Sequence, residues 1–120
     1  EADLALAKTD MEANVLLGYT GDRFNCYSLS ILPRENLIKL RTTDPCEHLT
    51  LETLPLALDI GRPIKLRIFR SGSIFEVFID EQAVLTKRLY RYAASGVGLE
   101  LRDGGGSFSN LLVRRLAHVP

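Results

Sequence analysis

Apolar side chains recur at every second position along much of this chain, and this spacing restricts what the chain can fold into. The pattern is clearest at residues 64–68 and 97–102, where Ile, Leu or Val alternates with charged residues or glycine. A period of two places alternate side chains on opposite faces of a β-strand, whereas an amphipathic helix needs a period of 3.6. The sequence therefore predicts strands rather than helices.

Turn-forming residues close each alternating run after a few residues. Examples are Gly61-Arg62-Pro63, Ser71-Gly72, Asp80-Glu81 and the triple glycine at 104–106. Short strands bounded by such turns are typical of an antiparallel sandwich or barrel. Because 120 residues suit one domain, we predict a single all-β domain over residues 1–120.

Two segments are harder to interpret. Residues 1–19 are rich in the helix formers Ala, Leu, Lys and Glu. Leu4 and Leu6 nevertheless alternate, so strand–turn–strand is favoured over helix. Near the other end, strands near 96–102 and 107–116 are predicted to form a hairpin across the glycines.

Composition and charge exclude several classes of partner. Fifteen basic residues balance fifteen acidic residues, with 46% hydrophobic and 25% charged residues. Nucleic acid and anionic membranes both require a basic surface, so neither is expected as a partner. No run of about 20 apolar residues is present, so no membrane span is expected. The composition is typical of a soluble globular domain, and the sequence leaves open whether that domain is secreted.

Metal and cofactor chemistry is not indicated. Cys26 and Cys46 form no CxxC motif, and their redox state stays open. His48 and His118 are isolated in the sequence, so no metal ligand set is expected. Four aspartates occupy turn positions, where a carboxylate commonly accepts hydrogen bonds from amides: Asp44, Asp59, Asp80 and Asp103. A calcium site is kept as the alternative.

An ordered set of short segments points to a known family. The set is Leu54–Leu56 (LPL), Leu66–Phe69 (LRIF), Glu76–Phe78 (EVF), Ala83–Thr86 (AVLT) and Gly98–Leu101 (GLEL). It resembles the C-terminal β-sandwich module of glycoside hydrolase family 32, which contains invertases, inulinases and levanases. The resemblance implies an antiparallel β-sandwich of the concanavalin A-like jelly-roll type. The family's catalytic residues belong to a preceding β-propeller, so the resemblance implies no catalytic residue and no cofactor here.

Two functions follow as expectations from this resemblance. The first is a non-catalytic module of a fructan- or sucrose-type hydrolase, packing against a catalytic domain or another subunit. The second is a free-standing, lectin-like carbohydrate-binding domain. The chain begins at Glu1 rather than at Met, which leads us to expect that it comes from a longer protein.

The segments LRIF (66–69) and SIFEVFID (73–80) supply the predicted interface. Phe69, Ile74 and Phe78 should share the face opposite to the sandwich core. An apolar patch on an outer face commonly marks an interface. We therefore expect these three residues to contact a catalytic domain or a second subunit.

Arg67 and Glu76 are the predicted carbohydrate-binding residues. Glu76 is a lone carboxylate on an apolar strand, and a glycosidase would need a second carboxylate about 5–10 Å away. Glu100 lies on another strand with similar facing, so a pair is conceivable. A structural role for Glu76, paired across strands with Arg67 or Lys65, is nevertheless favoured over catalysis.

Overall fold

In the computed structural model, most of the described residues lie in β-strands. The described residues are 2–6, 12–21, 25–43, 49–57, 62–89, 92, 96–102 and 106–112. Within them there are ten strands and no helix. The strands are Ala2–Leu6 (β1), Glu12–Tyr19 (β2), Tyr27–Leu32 (β3), Leu37–Thr42 (β4), Thr50–Pro55 (β5), Ile64–Ser71 (β6), Ile74–Ile79 (β7), Gln82–Arg88 (β8), Gly96–Arg102 (β9) and Gly106–Ser109 (β10).

The strands form two antiparallel sheets of five strands each. Sheet A has the order β10-β1-β6-β7-β8, and sheet B has the order β5-β4-β3-β2-β9. The predicted antiparallel β-sandwich is confirmed. The two strands predicted in the N-terminal segment are also confirmed, as β1 and β2, whereas the turn predicted between them falls on residues 7–11, outside the described part.

The inner face of sheet A follows from the alternation read in the sequence. Leu66 pairs with Ile79 and Ile68 pairs with Val77 across β6 and β7. Leu66, Val77 and Ile79 are buried in the core, and Ile68 packs against it. Each large aliphatic side chain buried in this way contributes about 1.5–3 kcal/mol through removal of apolar surface from water.

The inner face of sheet B supplies the other half of the core. Leu29 on the central strand β3 lies between Val15 on β2 and Leu40 on β4. All three side chains are buried. Tyr27, one position along the same face, is 1% exposed and contacts the Phe75 ring of sheet A at 6.2 Å between centroids. The two sheets are thus joined through a shared apolar layer.

The turn between β7 and β8 explains how a hairpin forms without glycine. Asp80 and Glu81 both have positive φ, at 50° and 68°, as a two-residue type I′ turn requires. The Asp80 amide donates to the Lys65 carbonyl at 2.9 Å, and Asp80 Oδ1 accepts from the Lys65 amide at 3.0 Å. These bonds to β6 offset the backbone strain, and they give Asp80 the amide-binding role expected from the sequence.

The predicted hairpin across the triple glycine is wrong. β9 pairs with β2 in sheet B, whereas β10 pairs with β1 in sheet A. The chain therefore passes from one sheet to the other between Arg102 and Gly106, and residues 103–105 lie outside the described part. Glycines permit a tight turn, but they do not determine which sheet the next strand joins.

Candidate functional site

The outer face of sheet A carries the predicted apolar patch. Phe69, Ile74 and Phe78 are all half-buried there, around a hollow of about 360 Å³. The Phe69 and Phe78 rings meet edge to face, with centroids 5.7 Å apart and an interplanar angle of 89°. We call these three residues the sheet A patch.

Arg67 and Glu76 border the sheet A patch. Arg67 lies opposite Phe78, and its guanidinium carbon is 5.2 Å from the centroid of the Phe69 ring. Glu76 is exposed and lies between Phe69 on β6 and Thr86 on β8. The structure therefore places the predicted sugar-binding and interface residues on one surface.

The conceivable carboxylate pair of Glu76 and Glu100 does not form. Glu76 lies on the outer face of sheet A, and Glu100 lies on the outer face of sheet B, where it pairs with Asn14. Stacked sheets are separated by about 10 Å, and these two side chains point away from each other. The separation is therefore too large for the glycosidase geometry considered above.

The outer face of sheet B carries a second, more polar surface. A groove with a volume of about 490 Å³ runs across it between strands β9 and β5. We call it the sheet B groove, and its polar lining includes Glu12, Asn14, Ser28, Arg41, Glu100 and Arg102. Leu16 and Leu49 add apolar contact area, and Leu49 is 42% exposed.

The floor of the sheet B groove consists of buried polar side chains. Asn14 is 3% exposed, Ser28 is 4% exposed, and Ser30 beside them is fully buried. The hydroxyl oxygens of Ser28 and Ser30 are 3.1 Å apart. Arg41 Nη2 donates to Ser30 Oγ at 2.6 Å. Burying such groups is costly unless they form hydrogen bonds, so this network offsets the cost of the polar floor.

Among the described residues, two ion pairs lie in the groove. Arg41 Nη2 is 3.3 Å from Glu12 Oε1, and Arg102 Nε is 2.8 Å from Glu100 Oε1. Asn14 connects the two pairs, because its Nδ2 donates to Glu12 at 3.0 Å and to Glu100 at 2.9 Å. The result is a continuous array of donors and acceptors across β9, β2 and β4.

A family model described as glycosyl hydrolases family 32 C terminal matches residues 3–115. The chain belongs to this family. The resemblance inferred from the short segments of the sequence is thereby confirmed, over nearly the whole length of the chain. No match was found among curated proteins.

A solved structure shares the fold of this family 32 module. It is the carbohydrate-binding module CBM66 from Bacillus subtilis, with a TM-score of 0.79 and 15% sequence identity. The match covers 91% of the family 32 module and 69% of the CBM66 chain. At this identity, the similarity concerns the fold.

The sheet B groove of the family 32 module was missed in the sequence because its residues come from separate strands. Asn14, Ser28 and Ser30 each interrupt an otherwise apolar strand that is buried on both faces. A polar residue in such a strand is unusual, and it is the signal in the sequence that could have indicated this site. The register between β2, β3 and β9 is needed to bring them together with Glu100.

The cysteines and histidines of the family 32 module were the remaining candidates from the sequence. Cys26 is buried, and its Sγ is 3.3 Å from Thr43 Oγ1. Cys46, His48 and His118 lie outside the described residues. Across the described ranges, no group of three or more Cys, His, Asp or Glu residues is arranged to hold a metal ion. No helix in the same ranges is long and apolar enough to cross a membrane.

Proposed function

We propose that this module binds carbohydrate in the sheet B groove and thereby serves a family 32 hydrolase as a non-catalytic accessory. The observation that carries the proposal is the buried polar floor flanked by two ion pairs. A sugar hydroxyl both donates and accepts hydrogen bonds, so it suits a surface with carboxylate, guanidinium and amide groups side by side. A volume of about 490 Å³ lies within the usual range of ligand sites, roughly 300–1,000 Å³.

Family membership narrows the ligands to be tested first. Invertases, inulinases and levanases act on fructose-containing saccharides, so inulin-type and levan-type oligosaccharides are the probes of choice. The similarity in fold to a carbohydrate-binding module supports the same class of ligand. The leucines beside the groove supply apolar contact for the C–H groups of a sugar ring.

The first experiment is an isothermal titration of the 120-residue chain with these oligosaccharides. Binding is expected with a dissociation constant between micromolar and millimolar, equivalent to about 4–8 kcal/mol. Arg41→Gln is expected to weaken binding at least tenfold, because it removes both the contact with Glu12 and a donor to the ligand. That loss corresponds to about 1.4 kcal/mol.

Arg67→Gln is the matched control for this experiment, because it makes the same change on the outer face of sheet A. Unchanged affinity is expected. Loss of binding in Arg67→Gln alone would place the sugar beside Glu76 on the sheet A patch instead. No heat of binding with either fructan would contradict the proposal.

The sheet A patch supports a second function, which is docking to the catalytic domain. Phe69 and Phe78 present a half-buried aromatic pair beside Ile74, and exposed apolar patches commonly mark interfaces. Burial of such a patch stabilises a complex by about 25 cal/mol for each Å² covered, before the cost of association.

Phe78→Asp tests this docking directly. The chain and a separately produced family 32 catalytic domain are mixed and followed by analytical gel filtration and titration. Phe78→Asp is expected to weaken their association at least tenfold, because a carboxylate would be desolvated in the contact. Thr53→Asp puts the same charge on sheet B, and it should leave association unchanged. Equal association of all three chains would argue against docking through the sheet A patch.

A further inference from the structure

Asn14 lines the sheet B groove, and both of its N–H donors are engaged. Nδ2 donates to Glu12 Oε2 at 3.0 Å on one side and to Glu100 Oε1 at 2.9 Å on the other. A primary amide has two N–H groups, so its donor capacity is filled. Glu12 comes from the same strand and Glu100 from β9, so the contact spans two strands.

This arrangement fixes the orientation of the amide. Rotating the Asn14 carboxamide by half a turn would place its oxygen against two carboxylates, which cannot donate hydrogen bonds when ionised. The carboxylates are held in turn by Arg41 and Arg102. The Asn14 oxygen therefore has one stable position.

The oxygen of this amide is left without a donor. Asn14 Oδ1 is buried, and no hydrogen-bond donor among the described residues reaches it. A buried carbonyl oxygen normally accepts at least one hydrogen bond, and leaving one unmade costs free energy. Because Asn14 lines the groove, a ligand that donates a hydrogen bond would satisfy it.

Charge further restricts the ligand. Among the groove residues that the structure describes, two carboxylates face two guanidinium groups, and each carboxylate is already within 3.3 Å of its cation. An anionic ligand would have to separate one of these pairs to bind an arginine. A neutral ligand keeps both pairs intact.

We propose that Asn14 positions the ligand in the sheet B groove by accepting a hydrogen bond from a sugar hydroxyl at Oδ1, and that the ion pairs of Arg41 and Arg102 make the groove selective for uncharged sugars. This inference rests on the proposed function, and it specifies the class of ligand and the residue that forms a hydrogen bond with it. Asn14 is a positioning residue for the ligand, not a catalytic one.

The test compares two ligands on the unchanged chain. A neutral fructan oligosaccharide and an oligogalacturonate of similar length are titrated into protein labelled with ¹³C and ¹⁵N. The neutral sugar is expected to bind at least tenfold more tightly. It should also shift the Asn14 side-chain carbonyl carbon signal in the direction of a strengthened hydrogen bond, while the Nδ2 protons keep their bonded positions.

Glu100→Gln is a second test, in which the affinity for oligogalacturonate is expected to increase. The glutamine oxygen can still accept from Asn14, but among the described groove residues two guanidinium groups now face a single carboxylate. Oligogalacturonate affinity is expected to rise at least fivefold, with little change for the neutral sugar. Thr53→Gln, outside the groove on β5, is the control and should alter neither affinity.

The outcomes separate this inference from the proposed function. If neither saccharide binds, the proposed function fails and this inference fails with it. If the neutral sugar binds but oligogalacturonate binds equally well, the charge selectivity is overturned. If the Asn14 carbon signal does not move, the hydrogen bond to Oδ1 is overturned. In both cases the proposed function stands.

Discussion

Val77→Asp is expected to unfold the module under conditions in which the unchanged chain is folded. Val77 is 1% exposed and lies opposite Ile68 on β6 and Leu85 on β8, within the core. The aspartate would bury a carboxylate among aliphatic side chains, and it would also remove the valine's own packing. The expected loss exceeds about 4 kcal/mol, which is close to the whole stability of many domains. Urea denaturation followed by far-ultraviolet circular dichroism measures it.

Phe78→Asp is the matched control for this prediction, because it makes the same charge change one residue along the strand. Phe78 faces outward from sheet A and is half-buried against Phe69. The expected loss is about 1–2 kcal/mol, from the aromatic contact and the partly covered ring. Equal destabilisation by the two variants would show that Phe78 belongs to the core and would contradict both the register and the docking proposal.

Gly18→Ala is expected to destabilise the module by about 2–4 kcal/mol. Gly18 has φ of +68° within the β-bulge of β2, where the pairing with β9 shifts. A Cβ there would lie 2.9 Å from Tyr92 Cβ and 3.2 Å from the Tyr92 carbonyl oxygen. The alanine would therefore push Tyr92 away from Tyr27, whose hydroxyl oxygen accepts from the Tyr92 amide at 3.1 Å.

Near-ultraviolet circular dichroism reports this displacement directly, since the chain has tyrosine but no tryptophan. Gly72→Ala is the control, because Gly72 has nearly the same backbone conformation, at φ +59°, and nothing lies within 4 Å of its added Cβ. It should cost only the backbone strain, about 1–2 kcal/mol, with the tyrosine signal unchanged. If Gly18→Ala and Gly72→Ala cost the same, the contact with Tyr92 contributes nothing.

Short-range patterns in the sequence were sufficient to predict the strand pairing and the side-chain facing of much of sheet A. Residues 64–88 contain three strands joined by tight turns, so each strand pairs with its neighbour in sequence. Alternation then assigns Val77 to the core and Phe78 to the outer face, as found. The Asp80-Glu81 turn was located correctly because polar residues between two apolar runs favour a turn.

Long-range pairing could not be predicted in the same way. β9 was assigned as a strand, but its partner proved to be β2, some eighty residues earlier in the chain, and not β10. Asn14 and Glu100 are opposite one another only because of this pairing. The sheet B groove therefore could not be predicted from patterns among residues that are close in sequence.

The class of fold, the two faces of β6 and β7 and the family were predictable from the sequence, because they depend on local periodicity and on short ordered segments. The strand composition of each sheet and the contacts between polar side chains became known only from the folded structure. Strand register sets those contacts, and it depends on packing and hydrogen bonding between residues far apart in the chain.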